Sequence, residues 1–113
     1  MTRDISKETE QKIGQLQLYE QGIQSILVQK QQFQLQQLEI ESALKELEKT
    51  NDAYRIVGNI MVSSKKEELK KDMESKKEML ALRIRTLEKQ ENQIKEKATK
   101  LQIEVVGQMK EKD

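Results

Sequence analysis

One stretch near the middle of this 113-residue chain, Ala53-Tyr54-Arg55-Ile56-Val57-Gly58-Asn59-Ile60-Met61-Val62, limits the possible folds more than any other. It is rich in β-branched residues, which suit a pleated strand. Gly58-Asn59 in its centre is a two-residue hairpin signal, because glycine and asparagine tolerate the positive φ of the primed turns. With that loop, Val57 lies opposite Ile60 and Arg55 opposite Val62 on one face. Ile56 opposes Met61 on the other face, beside Tyr54, so both faces are apolar. Helix-period patterns flank the stretch, from about residue 4 to 50 and from 64 to 112, leaving 53–63 for the hairpin. A chain that reverses between two such helices forms an antiparallel coiled coil whose termini meet at one end. The expected fold is mainly α: a single unit made of a long antiparallel coiled-coil helical hairpin with a β-hairpin at its base.

In the first helix, Leu16, Tyr19, Ile23, Ile26, Phe33, Ile40, Leu44 and Leu47 form an a/d seam. Lys30 and Gln37 occupy seam positions as polar residues, which weaken the seam locally and help to fix register. Ile13, Leu27, Leu35 and Leu38 lie beside or off it and read as a broadened core stripe. Glutamines between Gln11 and Gln37 fill the solvated faces, and Gly14 and Gly22 make the terminal half of the arm the looser one. In the second helix the seam runs Leu69, Met73, Leu80, Ile84, Leu87, Ile94, Ala98, Leu101 and Val105, interrupted by Lys77 and Glu91. Met73, Leu80, Leu87, Ile94 and Leu101 recur at strict sevens, which implies left-handed supercoiling. Ser64-Lys65-Lys66-Glu67 has the form of a capping box and marks the helix start at Ser64.

An isolated hairpin is marginal in water, and one with two apolar faces and two open edges invites pairing with other chains. This sequence has no further strands to cover it. Hairpins from several chains are therefore expected to join in a shared sheet or barrel, since closure removes edges. The competing reading is a turn packed on its own helices. At the terminal end, Ile103, Val105, Val106 and Met109 crowd the last turns and face Ile5, Ile13 and Leu16. The seam accommodates Val105 and Leu16, leaving Ile5, Ile103, Val106 and Met109 as surplus. Such residues suit contacts with other apolar chains, or ordinary packing at the end of a coil.

Charged residues make up 36% of the chain and aromatics 3%, with no proline, a balance that fits solvated helices better than a globular core. Histidine and cysteine are both absent. That removes the commonest general base and metal ligands, so neither catalysis nor a metal or cofactor is expected. A net charge of +1 with the signs interspersed offers no basic stripe to nucleic acid. No apolar run approaches a membrane span and Met1 to Ser6 has no signal-peptide character, so a cytoplasmic protein is expected.

Several segments resemble the β-class subunits of prefoldin, most closely the archaeal form. They are Gln29-Lys30-Gln31-Gln32, Ala43-Leu44-Lys45-Glu46-Leu47, the Tyr54 to Val62 hairpin, and Arg83-Ile84-Arg85-Thr86-Leu87-Glu88-Lys89-Gln90-Glu91. β-class subunits carry one hairpin and α-class subunits two. The resemblance implies a hexamer of two α-class and four β-class chains joined through β-barrels. Its arms would hold unfolded polypeptides at their tips and pass them to a group II chaperonin without ATP. Tyr54, Ile56, Val57, Gly58, Asn59, Ile60, Met61 and Val62 would then build the barrel. The client-binding candidates at the tip would be Ile5, Ile13, Leu101, Ile103, Val105, Val106 and Met109. Two alternatives stay open: a homomeric filament built through the same hairpin, and a coiled-coil spacer or adaptor that binds a partner helix through Ile13, Leu27 and Leu38.

Overall fold

The protein is represented by a computed structural model that describes residues 6–111. The element order is α1 (Lys7–Glu48), β1 (Ala53–Val57), β2 (Ile60–Ser64) and α2 (Lys66–Glu111). The fold is mainly α, as the periodicity implies. Helix α1 starts because Ser6 caps it. The Thr9 N–H donates to Ser6 Oγ at 3.1 Å, and the Glu10 N–H donates to the Ser6 carbonyl at 3.0 Å. Such a cap satisfies one of the amides that a helix start leaves without an internal partner. Glu8 and Glu10 in the first turn and Lys45 in the last complement the helix dipole. The helix closes with tightened bonds, the Lys49 N–H to the Glu46 carbonyl and the Thr50 N–H to the Leu47 carbonyl.

Helix α2 begins later than the capping-box pattern implies. The Lys65 carbonyl accepts from the Leu69 N–H at 3.0 Å, which makes Lys65 the residue that opens the helix. Ser64 is instead the last residue of β2, paired with Ala53. Strand pairing has taken the backbone that a cap at Ser64 would need. Lys66 Nζ donates to the Glu48 carbonyl at 3.5 Å, and Lys70 Nζ lies 3.8 Å from Glu48 Oε1. The first turn of α2 thereby brings cations to the C-terminal end of α1, where the carbonyl dipoles favour them.

The chain divides into two compact units, Met1–Gln29 with Leu87–Asp113, and Lys30–Thr86. Within the first, Thr9 bonds Gln108, Lys12 pairs with Glu104, and Gly22 lies against Ile94. Within the second, Arg83 stands over the Phe33 ring, Lys77 pairs with Glu41, and Lys70 with Glu48. In both units the partner number falls as the α1 number rises, so the two helices are antiparallel. The first unit buries Ile26, Leu87 and Val105, and the second Leu47, Ala53, Leu80 and Ile84. All are anticipated seam residues except Ala53, at the foot of β1. The remaining apolar seam residues are half-buried, as are Lys30, Gln37 and Lys77, while Glu91 is buried. Two helices side by side cover only one stripe of each other, so full burial of large side chains is not reached.

The broadened core stripe does not form. Leu27, Leu35 and Leu38 are exposed, and only Ile13 of that set is half-buried. A stripe that wide needs a third layer of structure, and a single pair of helices leaves one whole side of α1 in water. Leu18, Val28, Met79 and Leu82, which the periodicity does not single out, are exposed as well.

Candidate functional site

Two places gather the apolar residues that the sequence marks as candidates for contact with other chains. The first is the hairpin. Its register is Ala53 with Ser64, Tyr54 with Ser63, Arg55 with Val62, Ile56 with Met61, and Val57 with Ile60, matching the pairs read from the sequence. Gly58 has φ 62°, and no other described residue has a positive φ. Asn59 therefore does not need the left-handed region here. Positive φ at the first central position alone is the requirement of a type II′ turn.

The hairpin stands uncovered. Tyr54, Ile56, Val57, Ile60, Met61 and Val62 are all exposed, with Ile56 at 71%. Burial is confined to its base, where Ala53 is covered and Arg55 and Ser64 are half-buried. Arg55 Nη2 reaches Asp72 Oδ2 at 2.6 Å and ties β1 to the early turns of α2. A pair this exposed contributes about 0.2–1 kcal/mol, enough to bias the hairpin's seat but not to bury it. The alternative of a turn packed on its own helices does not fit these exposures. Among the described residues the sheet consists of β1 and β2, so each strand keeps one edge of free N–H and C=O groups.

The second place is the end where the described chain begins and finishes, called here the tip. Of its seven candidates, Ile5 lies outside the described residues. Ile103 and Val106 are exposed, at 68% and 45%. Ile13, Leu101 and Met109 are half-buried, and Val105 is buried in the seam. The structure thus divides the set into two outward residues and four that the helices share.

A polar cluster closes the tip. Thr9 is only 2% exposed. Its hydroxyl donates to Gln108 Oε1 at 2.7 Å and meets Ser6 Oγ at 2.9 Å. A net contribution of about 0.5–1.5 kcal/mol is typical of each such bond. One turn further in, Lys12 Nζ lies 3.3 Å from both Glu8 Oε1 and Glu104 Oε2. Burial lowers the pKa of Lys12, but hydrogen bonds and Coulomb attraction to Glu104 and Glu8 outweigh it, and the net shift is upward from 10.5. A raised lysine pKa stabilises the fold below its ordinary value and loses that contribution as pH rises through the folded value. Lys12 is therefore a cation at neutral pH.

Sequence reasoning missed this cluster, although the signal was available. Continuing the α1 heptads toward the start places Thr9 seven residues before Leu16 and Lys12 seven before Tyr19. Continuing the α2 sevens places Gln108 after Leu101. The seam does not stop at the tip; it turns polar.

Among the described residues, no group of three acidic, histidine or cysteine side chains could hold a metal ion, and no helix is long and apolar enough to cross a membrane. The concavities of the surface are grooves along the helices, lined for example by Asn92, Lys95, Glu96, Thr99 and Lys100. The architecture defines a class: antiparallel coiled-coil proteins in which a single β-hairpin joins the two helices and offers its own strands for contact.

The family model described as prefoldin subunit matches residues 10–112, and the chain belongs to that family. It is 38% identical to a prefoldin subunit beta of Methanospirillum hungatei, over 91% of this chain and 88% of that one. It is 34% identical to a prefoldin subunit beta of Archaeoglobus fulgidus, covering 88% of each. The crystal structure of the prefoldin beta subunit from Thermococcus strain KS-1 superposes with a TM-score of 0.88 at 30% identity, covering 96% of this chain and 97% of that one. Prefoldin-family members are chaperone subunits.

Proposed function

We propose that this chain is one subunit of an ATP-independent holdase, which binds unfolded polypeptides at coiled-coil tips and passes them to a group II chaperonin. Its partners are an α-class prefoldin subunit and further copies of itself, in a cytoplasmic hexamer of two α-class and four β-class chains. The observation that carries the reading is the uncovered hairpin, with two apolar faces and two free edges. Such a hairpin calls for strands from other chains, and β-barrel closure would satisfy its edges. Assembly then brings several tips to one client. Each tip offers little apolar surface, mainly Ile103 and Val106, so affinity comes from several weak contacts at once.

The test uses the complex co-assembled with its α-class partner and follows aggregation of unrelated denatured proteins by light scattering. Ile103→Ser with Val106→Ser should abolish protection while native mass spectrometry still finds the hexamer. Full protection by that variant would remove the tip from the mechanism.

A second reading, an adaptor for one partner helix, draws on Leu27 and Leu38, which are exposed on α1, with Ile13 half-buried. It predicts capture of one partner and no protection of unrelated clients. A homomeric filament would use the same hairpin and would appear as a ladder of masses of this chain alone.

A further inference from the structure

We infer that Asp72 is a positioning residue for assembly: through Arg55 it holds the hairpin at the angle at which its strands meet those of other chains. The inference rests on the proposed assembly through the hairpin and adds what sets its affinity. Arg55 is the one charged residue between Ala53 and Ser64. Residues two apart on a strand share a face, so Ala53, Arg55 and Val57 lie together, with their partners Ser64, Val62 and Ile60. The base of this face is covered, since Ala53 is buried and Arg55 and Ser64 are half-buried. Tyr54, Ile56, Met61 and Ser63, on the other face, are exposed throughout. The hairpin is thus seated by one face and open on the other.

Little besides Arg55 fixes that seat. Ala53 is small, and its burial lies at the very foot of β1. Lys66 and Lys70 reach Glu48, so they join the two helices to each other and not to the strands. The bond from Arg55 Nη2 to Asp72 Oδ2, 2.6 Å, is made further along the sheet than Ala53. One point of attachment is a pivot, and two define a direction. A sheet that swings about Ala53 offers its edges over a range of angles, of which a partner strand can pair with few. Holding it in place lowers the ordering cost of assembly, and apparent affinity scales with the fraction of chains in the competent pose. An ion pair this exposed changes affinity by up to about fivefold per chain. Asp72 lies on α2, outside the strands, so its influence on pairing runs through Arg55.

The experiment measures dissociation on dilution of the complex co-assembled with its α-class partner, by mass photometry. Asp72→Asn should weaken assembly up to about fivefold for each chain that carries it, with urea unfolding of the arm unchanged. In an Arg55→Gln background the same substitution should add nothing. Raising the salt should close the gap between the original chain and Asp72→Asn, because exposed pairs are screened. An unchanged affinity in Asp72→Asn, additive effects of the two substitutions, or a gap that persists at high salt would each overturn the positioning role. Ile56→Asp with Met61→Asp separates that failure from the failure of the assembly reading. If this variant falls apart while Asp72→Asn does not differ from the original, the hairpin remains the assembly surface and Asp72 has no part in it. If this variant stays assembled, the hairpin is not the assembly surface and both readings fall.

Discussion

The hairpin and the tip are both apolar in sequence, yet they meet water in different ways. The hairpin displays its residues: six large side chains stand exposed on two strands. The tip sequesters most of its own, with Val105 buried and Thr9, Lys12 and Gln108 bonded across the end of the seam. The difference follows from geometry. A two-stranded sheet has two faces and cannot bury either against itself. Two helices have a mutual inner stripe and can hide whatever falls on it. Apolar residues on the sheet thus stay exposed within one chain, whereas those on the inner stripe of the helices are covered by the neighbouring helix.

The sharpest way to break this comparison is to make the hairpin polar. Ile56→Asp with Met61→Asp puts two like charges directly opposite each other on one face. The expected result is complete loss of the oligomer in light-scattering mass measurements, with helicity by circular dichroism little changed. An intact oligomer would separate assembly from the hairpin.

The next largest effect contrasts buried with displayed leucines. Leu80→Ala removes a buried seam side chain and should cost about 2–4 kcal/mol in urea unfolding. Leu38→Ala, on the outer side of α1, should stay within about 0.5 kcal/mol. Similar costs for the two would mean that the outer side of α1 is covered in the assembly.

Gly58→Ala tests the turn. A Cβ at φ 62° meets nothing within 4 Å, so the penalty is conformational, about 1–2 kcal/mol, and should appear as weaker oligomerisation. The smallest expected change is at the tip. Ser6→Ala removes the helix cap and should cost about 1 kcal/mol or less. Faster amide exchange confined to the first turns of α1 would report it, and exchange spreading to Ile26 would mean that the tip and the seam open together.

The sequence by itself determined the elements, their order and their pairing. Heptad spacing named the seam from Leu16 to Leu47 and from Leu69 to Val105, and Gly58-Asn59 set the strand register. These are local or periodic properties, and periodicity survives in a linear reading. The start of α2 was misread because Ser64 suits both a cap and a strand, and only the pairing with Ala53 decides between them. Leu27, Leu35 and Leu38 were misassigned to a core stripe because hydrophobicity alone does not reveal how many layers surround a helix. The tertiary structure alone decided which apolar residues are displayed and which are sealed. Ile103 and Val105 are two residues apart and equally apolar, yet one is exposed and the other buried, because two residues along a helix is more than half a turn. The polar contacts of Thr9 with Gln108 and of Lys12 with Glu104 likewise exist only once the antiparallel register brings these residues of α1 and α2 together.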